Sequence, residues 1–199
     1  LVAPLIRCDN LSEITASSLN GEFTILDCCA APGSKTTHLA TLYPNSHITA
    51  ADIDPKRLKR VTENCRRLKL TNVTSVVADI CDPDATIAKS FYDYILIDAP
   101  CSGSGVIRRH PDIKLLRREQ DIAKLSAQQL KILQSAWKLL TSEGYLIYST
   151  CSILDAENSE VIATFLNQTD DAHHCIITTP FGHQKQFGVT LLPNENEND

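Results

Sequence analysis

Phe23-Thr24-Ile25-Leu26-Asp27-Cys28-Cys29-Ala30-Ala31-Pro32-Gly33-Ser34-Lys35-Thr36 is the stretch whose reading decides the fold. Phe23 to Asp27 is an apolar, β-rich run that ends on a carboxylate. A turn of small residues follows, and Lys35 to Tyr43 has the pattern of a helix. A strand that enters a helix through such a turn is the opening unit of an α/β sheet, in which ligands bind beyond the carboxyl ends of the strands. Small residues let the backbone approach a ligand, and the helix amino terminus favours an anionic group such as a carboxylate. The dinucleotide fingerprint Gly-x-Gly-x-x-Gly is absent. Gly33-Ser34-Lys35-Thr36 also lacks the upstream glycine of a P-loop, which argues against a nucleoside triphosphate.

The alternation continues outward. Ile48 to Asp52 is a second strand, and a helix runs from Pro55 to about Leu68 with Asp54 as its cap. Leu58, Val61, Cys65 and Leu68 form its inward stripe. Val73 to Val77 and Tyr92 to Ile97 are the third and fourth strands. A long helix spans about Asp121 to Leu140, with Leu130, Leu133, Trp137 and Leu140 on one face. Glu143-Gly144 ends it before a fifth strand at Tyr145 to Tyr148, and a last helix covers about Glu157 to Asn167. Beyond it only Val189 to Leu192 suggests a strand. The expected class is α/β, a mostly parallel sheet with helices on both faces. Leu1 to Asn20 reads as a lead-in and Asn194 to Asp199 as a polar end.

A chain of 199 residues, 43% hydrophobic, can bury one full core, so a single domain is expected. A net charge of −5 argues against nucleic acid only if it is spread evenly. It is not: seven basic residues lie between Lys56 and Lys69 against Glu63 alone, and eight against three acids lie between Cys101 and Leu140. No run is long enough for a membrane span, and no signal peptide opens the chain. The eight cysteines include no Cys-x-x-Cys pair, and His173-His174-Cys175 has no partner cluster at ligand spacing, so no metal is expected. Reduced thiols in the cytoplasm are the better reading. The chain has no methionine and begins Leu1-Val2-Ala3, which reads as a fragment of a longer protein.

Chemistry is carried by carboxylates and thiols at strand ends. Asp52, 25 residues after Asp27, can accept the hydroxyls of a ribose; Asp79 closes Val76-Val77-Ala78, and Asp98 closes the fourth strand. Acids in these places suit a nucleoside cofactor with an amine, a ribose and an adenine, a description S-adenosylmethionine fits. Cys101, in Asp98-Ala99-Pro100-Cys101-Ser102-Gly103, and Cys151, in Tyr148-Ser149-Thr150-Cys151-Ser152, each follow an apolar run and should stand at a strand's carboxyl end. Two such thiols, one beside a carboxylate, suit covalent chemistry that needs a nucleophile and a second group to undo the adduct. Cys28, Cys65, Cys81 and Cys175 read instead as small buried hydrophobes.

Cys29-Ala30-Ala31-Pro32-Gly33-Ser34-Lys35-Thr36, Asp98-Ala99-Pro100-Cys101-Ser102 and Ser149-Thr150-Cys151-Ser152, in this order, resemble the RNA cytosine-5 methyltransferase family, over about Gly21 to Leu192. Arg108-Arg109-His110-Pro111-Asp112-Ile113-Lys114 and Phe187-Gly188-Val189-Thr190-Leu191-Leu192-Pro193 resemble its bacterial Sun/Fmu branch, which methylates 16S ribosomal RNA. The resemblance implies a Rossmann-like methyltransferase fold and S-adenosylmethionine held by Cys29, Ala30, Ala31, Pro32, Gly33, Ser34, Lys35, Asp52, Asp79 and Asp98. It also implies that Cys151 is the nucleophile and that Cys101 helps release the product. Asp98 would hydrogen-bond the base edge, and the basic residues from Arg108 to Arg118 would contact RNA phosphates. Three departures stand out: Ser34 replaces a glycine and would crowd the cofactor if that position needs a positive φ; Leu115 stands where tryptophan is frequent; and the family's amino-terminal RNA-binding domain and final strands are missing. A non-catalytic RNA-binding scaffold would be expected to lose a thiol, and both are present. The paired thiols oppose an enzyme of this fold acting on a small molecule, and the resemblance implies RNA over DNA, because DNA cytosine methyltransferases use the cysteine of a Pro-Cys pair whereas the nucleophile here lies in Thr150-Cys151.

Overall fold

The computed structural model describes residues 22–82, 87, 90–177 and 182–192, so the lead-in from Leu1 to Asn20 and the polar end from Asn194 lie outside the described residues. The chain forms two compact units. Of the described residues, one unit holds those from 22 to 98 together with Ile132–Ser149; the other holds Ala99–Lys131 and those from 150 to 192.

The first unit is built on a parallel five-stranded sheet: β1 (Thr24–Asp27), β2 (His47–Asp52), β3 (Val73–Val77), β4 (Tyr92–Asp98) and β5 (Leu140–Ser149), in the order β3-β2-β1-β4-β5. The order reverses between β1 and β4, which makes the carboxyl end of β1 the place where ligands enter such sheets. Ile25, Ile48 and Leu96 pack with Leu39, Ala40 and Tyr43 of and just beyond helix α1 (Ser34–Leu42). Leu58, Val61 and Cys65 of helix α2 (Pro55–Arg67) pack on Ala30, Ala31 and Ala50. Leu26, Ala51, Ile95 and Ile97, which alternate with those sheet residues, are fully buried too. Burial on both faces explains why the strands read as nearly continuous apolar runs. Each fully buried Leu, Ile or Val among them contributes about 1.5–3 kcal/mol relative to exposure.

Helix α2 begins as expected, with the Asp54 carboxylate accepting from the Lys56 N–H at 2.8 Å. It stops at Arg67, so Leu68 is exposed instead of completing the inward stripe; the chain then turns through Lys69 at φ 57°. The expected long helix is α4 (Glu119–Trp137), and here the reading of its end is corrected. Leu140 already belongs to β5, and Glu143-Gly144 lie within that strand. The Leu139 carbonyl accepts from the Tyr92 N–H at 2.8 Å, which draws the chain into the sheet. Pairing then shifts from Tyr92↔Leu140 to Tyr94↔Tyr145, so Thr141–Gly144 form a bulge.

The second unit contains a 3-10 turn at Ser104–Val106, the one-turn helix α3 (Ile113–Leu116), the first part of α4 and helix α5 (Ser159–Asn167). It also holds an antiparallel pair, β6 (His183–Gln184) with β7 (Val189–Thr190), the latter within the strand suggested at Val189 to Leu192. No helix among the described residues is long and apolar enough to cross a membrane.

Candidate active site

In the first unit, the junction between β1 and α1 takes its shape from Gly33. Its φ is +103°, and a Cβ there would meet the Val61 Cα at 3.0 Å, so only glycine lets the loop lie against α2. Ser34 is the first residue of α1 and exposed; the positive φ falls on Gly33, and the crowding anticipated at Ser34 does not arise from its backbone. Cys28, Ala30 and Ala31 are buried, whereas Pro32 is exposed and Cys29 and Lys35 are half-buried.

The strand-end carboxylates differ in their partners. Asp52 is buried; its carboxylate accepts from the Ala31 N–H at 3.2 Å and the Asp54 N–H at 3.0 Å, and the Arg57 guanidinium stands 3.6 Å away. Arg57 also donates to the Ala31 carbonyl at 3.1 Å, tying α2 to the loop. The Lys35 ammonium bonds Asp98 at 2.5 Å, and the Ser149 hydroxyl donates to the other Asp98 oxygen at 3.2 Å. Asp79 is exposed and accepts from the Cys81 N–H at 2.8 Å, a local turn beyond β3. Burial pushes the Cys29 thiol up to about 12, helped by Asp27, Asp52 and Asp98, and burial likewise raises Cys28. Both therefore stay protonated at neutral pH and make poor nucleophiles. Among the cysteines read as core residues, Cys65 is buried, Cys81 half-buried and Cys175 exposed, so the reading of Cys175 is corrected.

Asp27 is fully buried, and one of its oxygens accepts from the Thr36 hydroxyl at 2.6 Å while the other has no hydrogen-bond partner. Burial raises its carboxyl from 3.8 to about 6, against the opposing pull of Thr36. The folded state then holds this proton more tightly than the unfolded chain. Its contribution to stability is complete below pH 4 and is lost as the pH rises towards 6. The difference in unfolding free energy between the parent and Asp27→Asn should change by about 2–3 kcal/mol between pH 4 and pH 7. Urea unfolding over that range checks this; parallel pH profiles would contradict it.

In the second unit, the two thiols expected at strand ends are brought together. Cys101 lies three residues beyond β4 and Cys151 two beyond β5 along the chain, and their sulfurs are 3.0 Å apart. Cys151 is exposed and Cys101 half-buried. The hydrogen bond to Cys151, then burial, pushes the Cys101 thiol well above its ordinary value, so Cys101 keeps its proton beside the second sulfur.

Several bonds fix this pair. The Gly105 N–H donates to the Cys151 carbonyl at 2.9 Å, and a Cβ at Gly105 would meet that oxygen at 2.8 Å. The Ser104 hydroxyl lies 2.9 Å from that of Ser152 and accepts from the Ile153 N–H at 3.0 Å. Arg117, expected to face phosphate, donates to the Ser102 carbonyl at 3.0 Å and so braces the Cys101 loop. Arg108, Arg109, Lys114 and Arg118 are exposed, as is Leu115. Glu157, which sequence reading placed only as the first residue of a helix, is fully buried among Ser102, Ser152 and Gln129. Nothing in its local sequence marks it, because its partners are up to 55 residues away. Among the described residues no three His, Cys, Asp or Glu side chains form a group that could hold a metal ion.

The chain is 52% identical over 175 residues to ribosomal RNA small subunit methyltransferase B of Proteus mirabilis, covering 85% of this chain and 40% of the relative. It is 48% identical over 180 residues to the protein of the same name from Escherichia coli, covering 90% and 41%. The chain thus spans about 40% of the length of these curated relatives. The crystal structure of NSun6 from Pyrococcus horikoshii with SFG superposes with a TM-score of 0.66 at 33% identity, over 79% of this chain and 40% of that one. PH0851 superposes with a TM-score of 0.71 at 36% identity, over 81% and 36%. A family model described as 16S rRNA methyltransferase RsmB/F matches residues 14–199, nearly the whole sequence, and the chain belongs to that family.

Proposed function

We propose that this chain transfers a methyl group from S-adenosylmethionine to C5 of a cytosine in RNA, with 16S ribosomal RNA as the substrate and the cytoplasm as the compartment. The observation that carries the reading is the sulfur pair, Cys101 and Cys151 at 3.0 Å. The names of the relatives support the RNA substrate.

The residues of the first unit fit the cofactor by their donor set. Asp52 offers a buried carboxylate to ribose hydroxyls, Asp79 an exposed one to the adenine end, and Asp98 an acceptor for the amine. Cys29, Ala30, Ala31, Pro32, Gly33, Ser34 and Lys35 supply a small-residue loop at the amino terminus of α1, where a carboxylate is favoured. S-adenosylmethionine, when bound, supplies an electrophilic methyl group. C5 of cytosine is a poor nucleophile until a thiolate adds to C6 and makes the ring enamine-like, and Cys151 is the residue assigned to that addition. Asp98, with Lys35 on its second oxygen, holds the base edge as charge develops. After transfer, the C5 proton passes to water while its bonding pair re-forms the C5–C6 double bond, and the Cys151 sulfur leaves with the S–C6 bond pair. The Cys101 S–H meets that departing charge.

The target base must leave its stack to be reached, which suits single-stranded or loop RNA. Exposed Arg108, Arg109, Lys114 and Arg118 supply phosphate contacts. The test is transfer of labelled methyl to 16S ribosomal RNA lacking the modification, with the position mapped; label on a cytosine C5 is expected, and label elsewhere or none would refute the reading. Asp52→Ala should weaken S-adenosylmethionine binding by about 1–3 kcal/mol, the cost of unpaired ribose hydroxyls. An unchanged dissociation constant by calorimetric titration would remove the ribose role.

A further inference from the structure

Glu157 has a fully buried carboxylate, and an apolar side chain of the same volume would fill its place without the cost of desolvating a charge. Its bonds explain why a charge is there. One oxygen accepts from the Ser102 N–H at 2.8 Å and from Gln129 Nε2 at 3.1 Å. The other accepts from the Ser102 hydroxyl at 2.5 Å and the Ser152 hydroxyl at 2.6 Å. Ser102 directly follows Cys101, and Ser152 directly follows Cys151. Gln129 Nε2 also donates to the carbonyl of Pro100 at 2.9 Å, the residue before Cys101. The carboxylate thus reaches both thiol loops at residues adjacent to the sulfurs, through short charge-assisted bonds that fix direction as well as distance. These bonds run to the residues beside the sulfurs, so Glu157 acts through the loops.

We propose that Glu157 is a positioning residue: with Gln129 as its brace, it clamps the Cys101 and Cys151 loops together and so sets the distance between the two sulfurs. The assignment rests on the proposed reaction for its catalytic consequence, though not for its geometry. A reacting sulfur displaced by about 1 Å costs on the order of a hundredfold in rate. Glu157→Gln keeps the volume and one acceptor oxygen, and its amide can donate to the two serine hydroxyls. It loses the charge-assisted bonds and lengthens the shortest contacts.

The sulfur pair can be read without RNA by oxidation with diamide. The two thiols give up two protons and two electrons as the S–S bond forms, and diamide is reduced to the hydrazine. Peptide mapping identifies the Cys101–Cys151 product. We expect this cross-link to form about tenfold more slowly in Glu157→Gln and about a hundredfold more slowly in Glu157→Ala. Turnover should fall in the same order, while the S-adenosylmethionine dissociation constant stays unchanged. If Glu157→Ala does not fold, the glutamine variant decides. Parent-like cross-linking and turnover in a folded glutamine variant would overturn the positioning role and leave only a core filler. A parent protein that cross-links readily, slows with Glu157→Gln, yet methylates no RNA would refute the proposed function and leave the clamp standing.

Discussion

Cys151→Ala is expected to lose methyl transfer by about a thousandfold or more while binding S-adenosylmethionine as the parent does. The size of the effect follows from the chemistry. Without a thiolate at C6, C5 of cytosine has too little electron density to take a methyl group, and among the described residues no other thiol is placed to substitute. Cys28 and Cys29 are both held protonated by burial beside β1. Cys101 keeps its proton as well. Cys151→Ser should be as inactive, since a hydroxyl is a far weaker nucleophile than a thiolate at neutral pH. Single-turnover assays with labelled cofactor, paired with calorimetric titration of the same preparations, check both halves of the expectation. Near-parental turnover by Cys151→Ala would remove the nucleophile from the account.

Cys101→Ala should fail later in the reaction. Addition and methyl transfer need only Cys151, but departure of its sulfur loses the S–H group that stands 3.0 Å away. The variant should accumulate an RNA–protein adduct that survives denaturing gels, whereas the parent shows little. The adduct should need the cofactor to persist, because only the methylated intermediate is committed to release through this step. Normal turnover without an adduct would mean that Cys101 has no part in release and that the pair is held together for another reason.

The extent to which these features could be read in advance varies with how local their causes are. The strand Val73–Val77 and the start of α2 at Pro55 agree residue for residue, because the first is a β-branched run broken only by Ser75 and the second is opened by an aspartate cap before proline. The start of β5 was hidden, since Leu140 continues the helical spacing of Leu133 and Trp137. What draws the chain into the sheet there is a backbone bond from Tyr92, a distant partner, to the Leu139 carbonyl. Leu68 illustrates the same limit: its spacing fits the stripe, but the helix ends one residue earlier.

The site divides along similar lines. The carboxylates and both thiols were visible because each closes an apolar run, which is a local signal. The pairing of Lys35 with Asp98, 63 residues apart, was not. Arg117 looked like one more basic residue in a charged stretch, yet it holds a loop carbonyl. Glu157 was the least legible of all. A glutamate among Asp155, Ala156 and Asn158 has the look of a solvated helix start, and only the fold buries it against Ser102 and Ser152.

The central claim is that the sulfur of Cys151, and not that of Cys101, bonds to the cytosine ring during methyl transfer. RNA carrying 5-fluorocytosine tests it directly, because a fluorine at C5 cannot leave as the proton does and the adduct is trapped after methylation. The parent protein, incubated with this RNA and S-adenosylmethionine and then digested, should yield a nucleotide-bearing, methylated adduct that tandem mass spectrometry places on Cys151. An adduct on Cys101, or none under conditions where unmodified RNA is methylated, would contradict the account.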